Sequence, residues 1–188
     1  LFATLLFALT VSACQTAPAP QMPTLSYSHL PALNLAVGKI EIESEYKAPM
    51  TSPNKEHTLD TPPSKAFSRW VNDRVRTQGQ GGMAKFIVEE ASVIETALDR
   101  TKGVKGLFTK DQSERYTGTL KGRVEIYDPS GKKLGYATAS ATRSQTVGED
   151  INLNDRERIL FELVEALVAD FGTALEKNMK SHLTDWVK

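Results

Sequence analysis

Side chains able to do chemistry are few and widely spaced. His29, His57 and His182 fall in no H-x-x-x-H arrangement, and Cys14 is the single cysteine, so no C-x-x-C pair exists. Zinc needs three or four nitrogen or sulfur ligands at short spacing, so the sequence points to no metal and to no cofactor. Serine acyl transfer would show a G-x-S-x-G elbow, which is absent. The carboxylates Glu89 and Glu90 would split their pKa values if they shared a cleft. Adjacent residues on a strand point to opposite faces, however, which predicts that the two are apart. Gly79-Gln80-Gly81-Gly82 is glycine-rich but follows a helical pattern and precedes a strand, the reverse of a phosphate cradle, and reads as a helix C-cap.

Three further features place unexpected residue types together. Arg74 falls within the apolar face formed by Phe67, Trp70, Val71 and Val75. Its aliphatic stem lying over the core with the head in solvent is the plain reading; a possible buried charge paired with a carboxylate or a lipid phosphate is the functional one. Val104, Leu107 and Phe108 stand among Lys102, Lys105 and Lys110 in the stretch from Arg100 to Glu114. That connection is long for a hairpin, and the mixture suits contact with a partner or a membrane, or a small satellite cluster folded back on the sheet. Met179, Leu183 and Trp186 form an apolar strip near the end of the chain, whereas Asn178, Ser181, His182 and Asp185 continue the helix's main stripe as polar residues. This predicts a helix end that projects from the sheet and offers the strip to a partner.

The elements that must position these residues follow from periodicity. Leu33, Leu35 and Val37, then Ile40 and Ile42 on the opposite phase, predict one bulged strand over residues 33 to 46 with Gly38 at the phase change. Thr61-Pro62-Pro63 predicts a helix start, and the helix should run to near Gly79. Strands are expected over about 84 to 96, over 116 to 127, where Leu120, Val124 and Ile126 alternate with Lys121, Arg123 and Glu125, and over 133 to 144. Asp128-Pro129-Ser130-Gly131 supplies a turn between the last two. Ala137, Ala139 and Ala141 form a small stripe on which a helix can lie close to the sheet. Asn154 and Glu157 then open a long helix with a core stripe from Leu160 to Leu175. The expected fold is α+β: a two-layer sandwich with a four-stranded, mainly antiparallel sheet and two helices on one face, in the order β-α-β-β-β-α.

Composition narrows the function classes. The 23 basic and 23 acidic residues balance, so no global field draws nucleic acid, and nucleic-acid binding is not expected. Leu1 to Ala13 is uncharged and too short to span a bilayer; it reads as the apolar part of a secretory signal that lacks its first residues. The four prolines between Gln15 and Ala32 predict a tether reaching about 50 Å. The expected organisation is therefore a signal segment over 1–13, the cysteine and tether over 14–32, and one domain over 33–188.

Val11-Ser12-Ala13-Cys14 resembles the lipobox of bacterial lipoproteins. The resemblance implies cleavage before Cys14, acylation of that residue and a membrane partner reached through the lipid. Two or three acyl chains anchor a protein where one binds marginally. With Gln15 rather than Asp after the cysteine, it further implies the periplasmic face of the outer membrane. The element order is similar to that of lipopolysaccharide-assembly lipoproteins and of auxiliary lipoproteins of lipid-transporting ABC systems. That similarity implies a non-enzymatic accessory or scaffold subunit with an envelope protein partner; the alternative is an envelope hydrolase with an unrecognised site.

Overall fold

Alternating apolar and polar residues make β5, Gln112–Tyr127, the centre of the molecule. In the computed structural model, which describes residues 23–98 and 112–188, β5 pairs antiparallel with β4, Met83–Ala97, and with β6, Lys133–Gly148. The β5–β6 turn closes through Gly131 N–H donating to Asp128 O at 3.0 Å, with Gly131 at φ +86°, a conformation that costs glycine little. β2, Lys39–Ser44, adds to the other side of β4 in parallel, giving a mixed sheet in the order β2-β4-β5-β6. The two helices are α1, Pro63–Arg74, and α2, Leu153–His182. The fold is α+β with open sheets.

One face of the sheet carries both helices. Phe67 of α1 packs edge-on against Phe171 of α2, 5.1 Å between ring centres, and beside Phe86 of β4. Ala137 of β6 is buried, and Ala139 and Ala141 pack at the margin of the same core, so α2 lies close over β5 and β6 as the small stripe predicts. The stripe on α2 recurs every four residues through Leu167, Phe171, Leu175, Met179 and Leu183, all fully buried. At about 100° per residue, a spacing of four winds the seam slowly around the helix, as following a twisted sheet requires.

The structure corrects four expectations. The stretch from 33 to 46 is two strands in two sheets: β1, Leu33–Leu35, pairs in parallel with β3, Val75–Thr77, while β2 joins the main sheet. Accordingly α1 stops at Arg74, where its chain turns into β3, and the glycine run is no C-cap. Gly79 instead lies where two backbones cross: a Cβ there would meet Ala36 C at 2.6 Å, and Gly79 N–H donates to Val37 O at 3.1 Å. The cap of α2 is Asn152, whose side chain accepts from Asp155 N–H at 2.9 Å, two residues ahead of the expected Asn154. Finally, Leu25 and Tyr27 are buried in the core, so the packed chain includes residues before Leu33.

Candidate functional site

The described residues line an open cavity of about 510 Å³ at the end of the sheet where β4 finishes and β5 begins. Three elements build it. The first is the turn around the short 3-10 helix Glu56–Thr58, contributing Lys55, Leu59 and Asp60. The second is α1, whose Lys65 and Arg69, four residues apart, share one face of the helix. The third is the first turns of α2, contributing Leu153, Arg156, Leu160 and Phe161. Pro23, Thr24 and Leu25 complete the wall. The volume lies within the roughly 300–1,000 Å³ typical of small-molecule sites.

Charges around the cavity divide into two kinds. Lys55 pairs with Glu95 at 2.8 Å, and Arg156 pairs with Glu114 while donating to the Tyr116 hydroxyl at 2.9 Å. Burial and the Glu114 carboxylate raise the pKa of Tyr116, so it remains a neutral hydrogen-bonding group. Lys65 and Arg69, by contrast, make no ion pair among the described residues. Lys65 Nζ donates to Asp60 O at 3.2 Å and Arg69 Nη1 to Leu25 O at 2.8 Å.

The turn beneath the cavity is held by a buried carboxylate that sequence patterning did not single out. Glu56 is 2% exposed and accepts from the Tyr46 hydroxyl at 2.6 Å, from Asn54 Nδ2 at 3.0 Å and from Val93 N–H at 3.0 Å. Burial pushes its pKa up, but these donors outweigh burial and leave it below the usual carboxylate range. Its only sequence signal was a charge inside a loop without periodicity.

The opposite, open face of the sheet carries an ion cluster. Arg123 on β5 meets Glu45 at 2.6 Å, Glu125 at 3.0 Å and also Glu89. Glu90 pairs with Lys121 at 2.6 Å. Glu89 and Glu90 thus share one face, against expectation, because a bulge between Val88 and Glu90 adds a residue and cancels the alternation. Each is paired with a cation, Glu89 with the shared Arg123 and Glu90 with Lys121, which suits an ordered surface better than acid/base work. Burial raises the pKa of Glu125, but hydrogen bonds from Tyr127, Arg123 and Lys133 hold it down to about 2.

Arg74 is a buried charge, 5% exposed. Its Nη2 lies 2.8 Å from Glu176 Oε2, its Nε and Nη2 donate to Pro31 O, and its guanidinium sits 5.1 Å from the Trp70 ring centre. The partner is a carboxylate of this chain, so the head does not reach solvent. The expected strip at the chain's end is also internal. Met179 and Leu183 are fully buried and Trp186 packs at the edge of the core, while Leu35 and Val187 form a bridge and Ala36 N–H donates to Trp186 O at 2.8 Å. The helix does not project, because its seam winds onto Met179 and Leu183; the tail after it returns along β1. Cys14, Val104, Leu107 and Phe108 lie outside the described residues.

No protein-family model matches the chain, and no curated protein matches its sequence. Two solved structures are similar over much of its length. Rare lipoprotein B from Shewanella oneidensis is 10% identical with a TM-score of 0.40, the match covering 77% of this chain and 95% of that one. A minor lipoprotein from Acinetobacter baumannii is 14% identical, also with a TM-score of 0.40, covering 78% and 93%. At these values the likeness carries no conclusion about activity.

Proposed function

We propose that this chain is a lipid-anchored protein of the bacterial envelope, held through Cys14 at the periplasmic face of the outer membrane, that serves as a non-enzymatic accessory subunit of an envelope assembly or lipid-transport machinery. The observation that carries the reading is Val11-Ser12-Ala13-Cys14 directly after an uncharged apolar run. The anchor would also set where the first described residues lie. From Cys14 to Pro23, fully extended chain reaches only about 30 Å, so the end of the domain at Pro23 stays close to the bilayer. Leu98 and Gln112, which flank the segment carrying Val104, Leu107 and Phe108, are at that same end, a few strand residues beyond Glu95 and Tyr116 beside the cavity. Those three apolar residues are the proposed contact with the partner or the membrane surface.

Metabolic labelling with palmitate, followed by membrane fractionation, tests the anchor. Cys14→Ala should lose the label and accumulate as uncut precursor, and label retained in the variant refutes the anchor. Affinity purification from solubilised envelopes tests the partner. Leu107→Ser with Phe108→Ser should lose co-purifying envelope proteins without moving the melting temperature, and an unchanged set of partners removes this contact.

A further inference from the structure

The cavity at the end of the sheet combines two features that ordinary packing does not require together. Its apolar wall is drawn from separate elements, with Leu59 from the turn and Leu160 and Phe161 from α2. Leu153, at its rim, is 69% exposed and extends the apolar surface to the mouth. Beside this wall stand Lys65 and Arg69, cations on one helix face whose partners among the described residues are backbone carbonyls. Backbone carbonyls satisfy N–H donors but leave both cations without a carboxylate in ion-pair contact among the described residues, whereas Lys55 and Arg156, on the other walls, already have carboxylates. An apolar surface adjoining a pair of such cations is complementary to a molecule with an apolar tail and an acidic head.

We infer that this cavity binds a single-chain amphiphile with an acidic head group, carboxylate or phosphate. The head lies on Lys65 and Arg69, and the hydrocarbon lies along Leu59, Leu160 and Phe161. The volume of about 510 Å³ sets the size: it suits one hydrocarbon chain and is small for several. Asp60 and Glu157, also in the lining, disfavour a second acidic group and so select a head with one. Access to such ligands follows from the anchor proposed above, which keeps Pro23 and Thr24 in the cavity wall near the bilayer. The binding itself does not depend on the anchor, and the test separates the two.

The full chain is reconstituted in phosphatidylcholine nanodiscs and photolabelled with a dodecanoate bearing a diazirine at the tail end; labelled peptides are mapped by mass spectrometry. Label should fall on the peptides carrying Leu59 and Leu160–Phe161. Excess dodecyl phosphate should compete and dodecanol should not. Lys65→Glu reverses one charge at an exposed position and should reduce labelling by about tenfold or more. Arg69→Lys keeps the charge and should retain most of it. Repeating the labelling on Cys14→Ala chain without a bilayer isolates binding from anchoring, and the same pattern is expected there. Label confined to other peptides, equal labelling of Lys65→Glu, or competition by dodecanol as strong as by dodecyl phosphate each overturns the inference.

Discussion

Arg74 Nη2 and Glu176 Oε2 lie 2.8 Å apart across the contact between α1 and α2, with the arginine side chain 6% and the glutamate side chain 22% exposed. The pair ties both helices to the segment before β1, because the same guanidinium also donates to Pro31 O. Burial raises the pKa of Glu176, but hydrogen bonds from Lys180 and Arg74 more than offset it and lower the value. Removing the carboxylate strands a buried cation. Glu176→Ala should therefore cost about 3 kcal/mol, the low end for breaking a buried pair because Glu176 is partly wet. Urea unfolding midpoints measure it, and a change below about 0.5 kcal/mol would mean that Pro31 and Trp70 compensate the charge alone.

Gly172 of α2 faces the Trp70 indole so closely that a Cβ there would lie 2.5 Å from Nε1. Alanine is the better helix former by about 1 kcal/mol, yet the clash should win. Overpacking of a filled core typically costs about 1–3 kcal/mol in addition, so Gly172→Ala is expected to be destabilising in thermal unfolding. A stabilised variant would mean that the two helices can separate at little cost.

The chain's end is part of the core. Deleting residues 183–188 removes fully buried Leu183, the Leu35–Val187 bridge and the hydrogen bond from Lys188 N–H to Asn34 O. Loss of one buried leucine alone costs about 2–5 kcal/mol. The truncated chain should melt at least about 10 °C lower or fail to fold. A fully stable truncation read by circular dichroism would return this segment to the role of a surface contact.

Glu56 holds the turn that floors the cavity. Glu56→Ala leaves the Val93 N–H and the Tyr46 hydroxyl without their acceptor. With each stranded donor costing about 1–3 kcal/mol, the expected loss is about 2–6 kcal/mol. Hydrogen exchange at Val93 should accelerate with it, and unchanged protection there would show that another acceptor takes over.

Acid should weaken the open face of the sheet. The pKa of Glu125 in the folded chain is about 2, below the ordinary glutamate value of about 4.3 in the unfolded chain. The unfolded state therefore binds the proton first as pH falls. Stability from this group is fully present above about pH 4.3 and lost progressively toward pH 2. Glu125→Gln should flatten the dependence of unfolding midpoint on pH within that window, and identical slopes for both proteins would remove the assignment.

Read alone, the sequence determined what local periodicity can carry. The alternation of Leu120, Val124 and Ile126 with charged neighbours located β5, the turn chemistry at Asp128 to Gly131 located its hairpin with β6, and the stripe from Leu160 to Leu175 located α2. The proposed lipidation of Cys14 rests on the apolar run before it in the same way, because that chemistry depends on a few adjacent residues. Pairing was another matter. Whether residues 33 to 46 form one strand or two depends on Val75 to Thr77 being free to pair with Leu33 to Leu35, and no local pattern reports that distant partner. Only the tertiary structure could turn Met179 and Leu183 inward, since the twist of the sheet decides which side of a winding helical seam is covered. The same holds for the cavity. Leu59, Lys65 and Arg69 are near neighbours in sequence but Leu160 lies far along the chain, and only the packing of α1, α2 and the turn over β4 and β5 brings them around one space; adjacency there is a property of the folded surface, which periodicity along a chain does not encode.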